Sequence, residues 1–238
     1  MQILSQSFPS CYEYNIEQSG KLTLKTRTTY FNEGQLWPIA NTNIGYLSIT
    51  KCLSSSFIEF LRLQNLITDQ FLFSKDDQLD KVDKILVFLR DPCQRYMSGI
   101  AEYIHMQFAS DIQTMSQQTL IHIVEALIGI SDVDEHSIEQ IHFFRDFNLQ
   151  KFSVFLMNDK FSEQQVFDWM RDNGTIFRDD IPLTIPKINR TVDNEIKQKI
   201  YDVVQSVGMR RSFSIMGKCV GDTELINYFK SNGQVINV

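Results

Sequence analysis

Little in this chain could staple it together from outside its own core. Its 238 residues include four cysteines, Cys11, Cys52, Cys93 and Cys219. None forms a CxxC pair or a zinc-ligand spacing, which excludes a metal-nucleated fold. Reduced thiols in a cytoplasmic protein are the simplest expectation, with a disulfide in an exported protein as the alternative. Glycine and proline are sparse, ten and five, and no Pro/Gly/Ser-rich linker divides the chain. No apolar run approaches the roughly 20 residues that span a bilayer. The opening MQILSQSFPS lacks the basic and apolar stretches of a signal peptide, so a soluble cytoplasmic protein without a membrane span is expected. Positive charge is also in deficit, with 23 Lys and Arg against 29 Asp and Glu and a formal net charge of −6. General nucleic-acid binding draws its affinity from a basic surface and is disfavoured. A small anionic ligand needs only a local pocket of donors and stays open.

What the chain does have is core material. Hydrophobic residues make up 43% and charged residues 22%, and there are eighteen phenylalanines. A chain of this length and composition is globular rather than disordered or coiled-coil, and it buries roughly 70% of the surface its unfolded form exposes. We read a single domain over 1–238, with residues 1–43 as an N-terminal extension and 44–229 as the core. Within the extension, KLTLKTRTTYF alternates as a β ribbon. Three short apolar runs follow, IGYLSIT (44–50), KILVFL (84–89) and KFSVFLM (151–157), each fit for a buried strand. Between them lie helical stretches. Phe57, Phe60, Leu61 and Leu66 form one stripe, and Leu120, Ile123, Val124, Leu127 and Ile128 another. Asp91 caps a helix with Pro92 at its first position, running to about Met106. Further helices are expected at 162–172 and 193–207. Alternation of strand and helix predicts an α/β fold with a parallel sheet flanked by helices on both faces and a small N-terminal β ribbon.

In such sheets ligands bind beyond the carboxyl ends of the strands. The first strand-to-helix junction reads Thr50-Lys51-Cys52-Leu53-Ser54-Ser55-Ser56. It sets a lysine and three hydroxyls at a helix start, where amide N–H groups and the dipole favour a phosphate. The alternative is a serine-rich cap with a surface lysine. The Walker A pattern is absent. The second junction reads Arg90-Asp91-Pro92-Cys93-Gln94-Arg95-Tyr96-Met97-Ser98. Arg90 ends an apolar strand, and Ser98 follows about two turns into the helix, so both can reach one phosphate. Arg95 is expected as a second cation at the same mouth. Alternatively, Arg90 is salt-bridged to Asp91 or another carboxylate.

Together these junctions resemble the sulfotransferases that use 3′-phosphoadenosine 5′-phosphosulfate (PAPS), in their carbohydrate-type branch. That family's 5′-phosphosulfate loop reads Pro-Lys-x-Gly and then three hydroxyl residues, and residues 50–56 occupy this pattern. Its 3′-phosphate motif reads Arg, Asp or Asn, Pro, x, x, Arg, x, x, Ser. Arg90, Asp91, Pro92, Arg95 and Ser98 match every fixed position. Weaker likenesses follow in Asp134-Glu135-His136-Ser137-Ile138-Glu139-Gln140, in Ile185-Pro186-Lys187-Ile188-Asn189 and in Asp222-Thr223-Glu224-Leu225. Two positions depart from the family: Leu53 replaces the loop glycine and Thr50 the proline. Either Leu53 keeps a negative φ, or the turn differs, or donor binding is weakened, because a left-handed leucine costs roughly 1–2 kcal/mol.

The resemblance implies a P-loop-like fold and transfer of a sulfuryl group from PAPS to an acceptor hydroxyl or amine, in a carbohydrate by analogy, leaving 3′-phosphoadenosine 5′-phosphate (PAP). Lys51 would stabilise the leaving phosphate oxygen. Ser54, Ser55 and Ser56 would bind the 5′-phosphosulfate, and Arg90 and Ser98 the 3′-phosphate. No metal is required. His136 and Glu59 are the candidate general bases, with His105 and Glu102 further along the helix of Ser98. His122 reads as structural, Met209-Arg210-Arg211 as solvated surface, and Phe143-Phe144 and Phe71 with Phe73 as core. The competing readings are a catalytically impaired relative that binds a nucleotide or a partner, and a P-loop-type kinase. The kinase is disfavoured because the second strand ends in Arg90 where magnesium chemistry wants an aspartate. The sequence says nothing of oligomeric state.

Overall fold

The computed structural model describes residues 12–26, 34–74, 76–129, 136–188 and 194–237. Two strands, β1 (Tyr12–Ile16) and β2 (Leu22–Thr26), pair antiparallel as the expected ribbon. Residues 27–31 of the expected ribbon sequence lie outside the described residues, as does Cys11. A four-stranded sheet follows, built from β3 (Gln35–Pro38), β4 (Ile44–Ser48), β5 (Lys84–Leu89) and β6 (Phe152–Leu156) in that spatial order. The pairs β4–β5 and β5–β6 are parallel.

The sheet is mixed, which corrects the all-parallel expectation. β3 runs antiparallel to β4, joined by a tight turn in which the Ile39 N–H donates to the Ile44 carbonyl at 2.9 Å. Five residues are too few for a crossover, so the pair can only be a hairpin. β3 ends in a proline, which removes one N–H donor and suits the edge it occupies. The sheet therefore begins inside the segment set apart as an extension.

The helices are α1 (Ser54–Leu63), α2 (Pro92–Ile112), α3 (Gln117–Gly129), α4 (Glu163–Asp172), α5 (Asn194–Arg210), α6 (Ser212–Lys218) and α7 (Val220–Ser231). α2 runs past Met106 to Ile112. It is capped as its sequence demands, the Asp91 carboxylate accepting from the Gln94 N–H at 2.8 Å with Pro92 at the first position.

Phenylalanine fills both sides of the sheet. On one face Tyr46 and Phe88 meet Phe57 of α1 edge-on, with ring centroids at 4.7 and 4.8 Å, and Phe60 meets Phe167 of α4. On the other, Phe152 packs on Phe144 and on Phe229 of α7. Such tilted and edge-on pairs are the arrangements aromatic quadrupoles prefer. A second core lies beside the sheet layer. There Tyr96, Ile100 and Ile104 of α2 pack with Leu120 and Val124 of α3 and with Val203, Val204 and Val207 of α5. Among the described residues no helix is long and apolar enough to cross a membrane. Cys52, Cys93 and Cys219 are free thiols.

Candidate active site

Both strand-to-helix junctions open onto one cavity of about 420 Å³. Its wall includes Lys51, Ser54, Ser55, Ser56, Arg90, Ser98, Glu102, His136 and Lys197. The volume lies within the range of small-molecule sites, about 300–1,000 Å³. Among the described residues three fixed cations, Lys51, Arg90 and Lys197, face it against one carboxylate, Glu102. A chain of net charge −6 thus gathers a local positive excess where its strands end, which is the condition for holding an anion.

The first junction carries real backbone strain. Lys51 and Leu53 both sit in the left-handed region, at φ 67° and 63°. Of the outcomes open to Leu53, the structure takes the one a glycine would adopt freely. The leucine bears the penalty of about 1–2 kcal/mol and packs its side chain against the sheet core. The turn leaves α1 without a side-chain cap and without an acidic residue in its first turn, so the three serines are not consumed as caps. Ser56 has one neighbour from afar: its Oγ accepts from the Ile188 N–H at 3.4 Å, which brings the segment after α4 down over the loop. Asn189 of that segment lies outside the described residues.

Beneath the cavity a buried polar cluster fixes both junctions. Gln140 is fully buried and grips the end of β5 from both sides. The Arg90 N–H donates to its Oε1 at 3.0 Å, and its Nε2 donates to the Arg90 carbonyl at 3.1 Å. The same Oε1 accepts from the Cys52 thiol at 3.2 Å, and Nε2 donates to Asp222 Oδ2 at 3.2 Å. Asp222 also accepts from the Ile141 N–H at 2.8 Å. Burial pushes the Asp222 carboxyl up, against the pull of the Arg95 charge and these hydrogen bonds. Burial likewise raises the Cys52 thiol to about 11, so Cys52 serves as a donor and not as a nucleophile.

Arg95 is corrected by the same cluster. It does not stand at the mouth: it is 1% exposed, its Nε donates to the Thr50 carbonyl at 3.0 Å and its Nη1 to the Ile138 carbonyl. The Phe143 ring lies 5.6 Å from its guanidinium carbon. Its charge ties α2 to the first junction and is unavailable to a ligand.

The base candidates separate. Glu59 is not among the residues that line the cavity; His136 and Glu102 are. His136 is brought there by Gly99, where an added Cβ would stand 2.0 Å from the His136 carbonyl oxygen. Only a residue without a side chain tolerates that approach. His105 lines an adjoining cavity of about 300 Å³. The Glu102 carboxylate meets Lys51 Nζ at 3.0 Å, with both side chains largely covered, 15% and 21% exposed. Burial pushes the Glu102 carboxyl up. The hydrogen bond and charge of Lys51, with the charges of Lys197 and His136, outweigh it and hold the group below its ordinary range. Lys197 escaped the sequence reading because it stands on a distant amphipathic helix with no motif around it. His122 proves to be exposed, its ring nitrogen 2.9 Å from the Gln118 amide.

Comparison with protein-family models, with curated proteins and with solved structures finds no match.

Proposed function

We propose that this protein is a PAPS-dependent sulfotransferase, moving a sulfuryl group to an acceptor hydroxyl or amine, on a carbohydrate if the resembled branch is followed. One observation carries the reading: the lysine–serine loop and the Arg90–Ser98 pair, far apart in sequence, line the same cavity. Transfer of this kind asks the protein for positioning and charge stabilisation rather than covalent work. Lys51 stabilises the charge that builds on the leaving phosphate oxygen, and loss of such a donor costs on the order of 10²–10³ in rate. Ser54, Ser55 and Ser56, with the α1 amides, bind the 5′-phosphosulfate. Arg90 and Ser98 bind the 3′-phosphate that sets PAPS apart from other adenine nucleotides. Hydrogen bonds to a charged group contribute roughly 1.5–3 kcal/mol each, so two give a preference of about a hundredfold or more.

Titration with PAP, adenosine 5′-phosphate and magnesium ATP tests the proposal. Tight PAP binding that disappears without the 3′-phosphate supports it, and Lys51→Ala then abolishes transfer while the fold persists. Magnesium-dependent ATP binding would mark a kinase. Absence of all nucleotide binding would leave a partner-binding relative that keeps the fold alone.

A further inference from the structure

Glu102 stands at a joint. It lies one turn beyond Ser98 on α2, in the wall shared by the main cavity and the adjoining one, which is lined by His105, Gln198 and Tyr201 among others. Among the described residues it is the one carboxylate lining the main cavity. The charged and titratable groups that face it come from several elements: Lys51 from the first junction, Lys197 from α5, and His136 from the segment before the 3₁₀ turn Gln140–Phe144. His105 shares its helix and the second cavity.

We propose that Glu102 is the general base, holding Lys51 while the site is empty and taking the acceptor's proton from the side of the second cavity once the donor has drawn Lys51 away. The inference rests on the PAPS reading above. The lysine that must meet the leaving oxygen already has an anionic partner at 3.0 Å, so an entering phosphosulfate competes with Glu102 for it. The exchange also times the base. Burial and Lys51 act on the carboxyl in opposite directions. When Lys51 turns to the donor, the lowering influence weakens, burial remains, and the carboxylate gains basicity where the acceptor hydroxyl arrives. In the transfer step the acceptor oxygen forms a bond to sulfur. The bond from sulfur to the bridging phosphate oxygen breaks, and its electron pair stays on that oxygen beside Lys51. The acceptor proton passes to a Glu102 oxygen. Atoms and charge balance without metal or oxidant.

The test uses the full chain and two probes that need no knowledge of the acceptor. One is PAP, measured by calorimetry. The other is labelled PAPS, followed by release of sulfate to water, water serving as the hydroxyl acceptor, from pH 5 to 9. Glu102→Gln removes the competing charge and should bind PAP about fivefold more tightly, the scale of a partly covered ion pair. It should release sulfate at least tenfold more slowly and lose the acid limb of the pH profile. Glu102→Asp, the safer substitution for folding, should keep wild-type PAP affinity yet release sulfate more slowly. Unchanged or weaker PAP binding by Glu102→Gln overturns the competition for Lys51. Wild-type sulfate release by either variant overturns the base. If PAP binds neither wild type nor variant, the PAPS reading itself fails and takes this inference with it.

Discussion

Replacing Gln140 by leucine should reveal how much the site depends on the layer beneath it. The substitution keeps the approximate size and removes every polar atom of the side chain. It strips partners from the Arg90 N–H, the Arg90 carbonyl and Asp222 Oδ2, now held at 3.0, 3.1 and 3.2 Å. A buried polar group left unsatisfied costs about 1–3 kcal/mol. Allowing for partial relaxation of the half-covered strand end, the three together cost roughly 3–6 kcal/mol. For a domain of this size that is a fall in melting temperature of roughly 6–24 °C. Urea unfolding followed by circular dichroism measures it directly. Gln140→Glu makes the companion experiment. Its carboxylate would face Asp222 and the Arg90 carbonyl, so it should be at least as damaging at pH 7 and recover as acid protonates the pair. A loss under about 1 kcal/mol for Gln140→Leu would refute the reasoning, because it would mean that water or a shifted backbone satisfies the end of β5 without Gln140.

The other expectations are more quickly stated. Arg90→Ala should weaken PAP far more than adenosine 5′-phosphate in calorimetric titration; equal weakening would make Arg90 a structural residue. Leu53→Gly relieves a left-handed φ of 63° but gives up apolar packing, so stability should change by no more than about 1 kcal/mol. PAP affinity should rise as the backbone comes closer to phosphate, and a loss of affinity would show the leucine to be an asset. His142 is buried, and burial, with the charges of Arg95 and Arg145, lowers it to about 3. It is neutral in the folded protein at mildly acid pH, whereas the unfolded chain takes up a proton near pH 6.5. Its contribution is therefore complete above about pH 6.5 and drains away as pH falls toward 3, by at most about 1.4 kcal/mol per pH unit. His142→Phe should flatten that part of the stability curve, and an unaltered slope would contradict the assignment.

The chain announced its strands and helices where local physics decides them. KILVFL could only be buried, Asp91-Pro92 could only start a helix, and the Phe57–Phe60–Leu61 stripe of α1 is wholly covered. β3 was missed because four residues ending in proline carry almost no periodic signal; its place is set by the turn to β4. At the site, Lys51, Ser54, Ser55, Ser56, Arg90, Ser98 and His136 were legible as types in a pattern, and the fold brings them to one cavity. Arg95 was misjudged because its compensation comes from carbonyls 45 and 43 residues away. Nothing adjacent distinguishes an arginine that meets a ligand from one that holds the backbone. Gln140 stood inside a recognised element, yet its bridging of Arg90, Cys52 and Asp222 exists only in three dimensions. Gly99 offered a faint clue, a glycine inside a helix, which usually marks a close approach.

Arg95 also bears on how this chain can be taken apart. Its stem is rooted in the helix that carries Tyr96, Ile100 and Ile104 into the second core, while its head secures the carbonyl just ahead of Lys51. The two cores are thus pinned to one another at the very spot where anion chemistry is expected. Fragments cut so as to isolate the sheet layer would lose the guanidinium that steadies their most strained turn. Attempts to graft the lysine–serine loop onto another scaffold should carry a buried cation along with it.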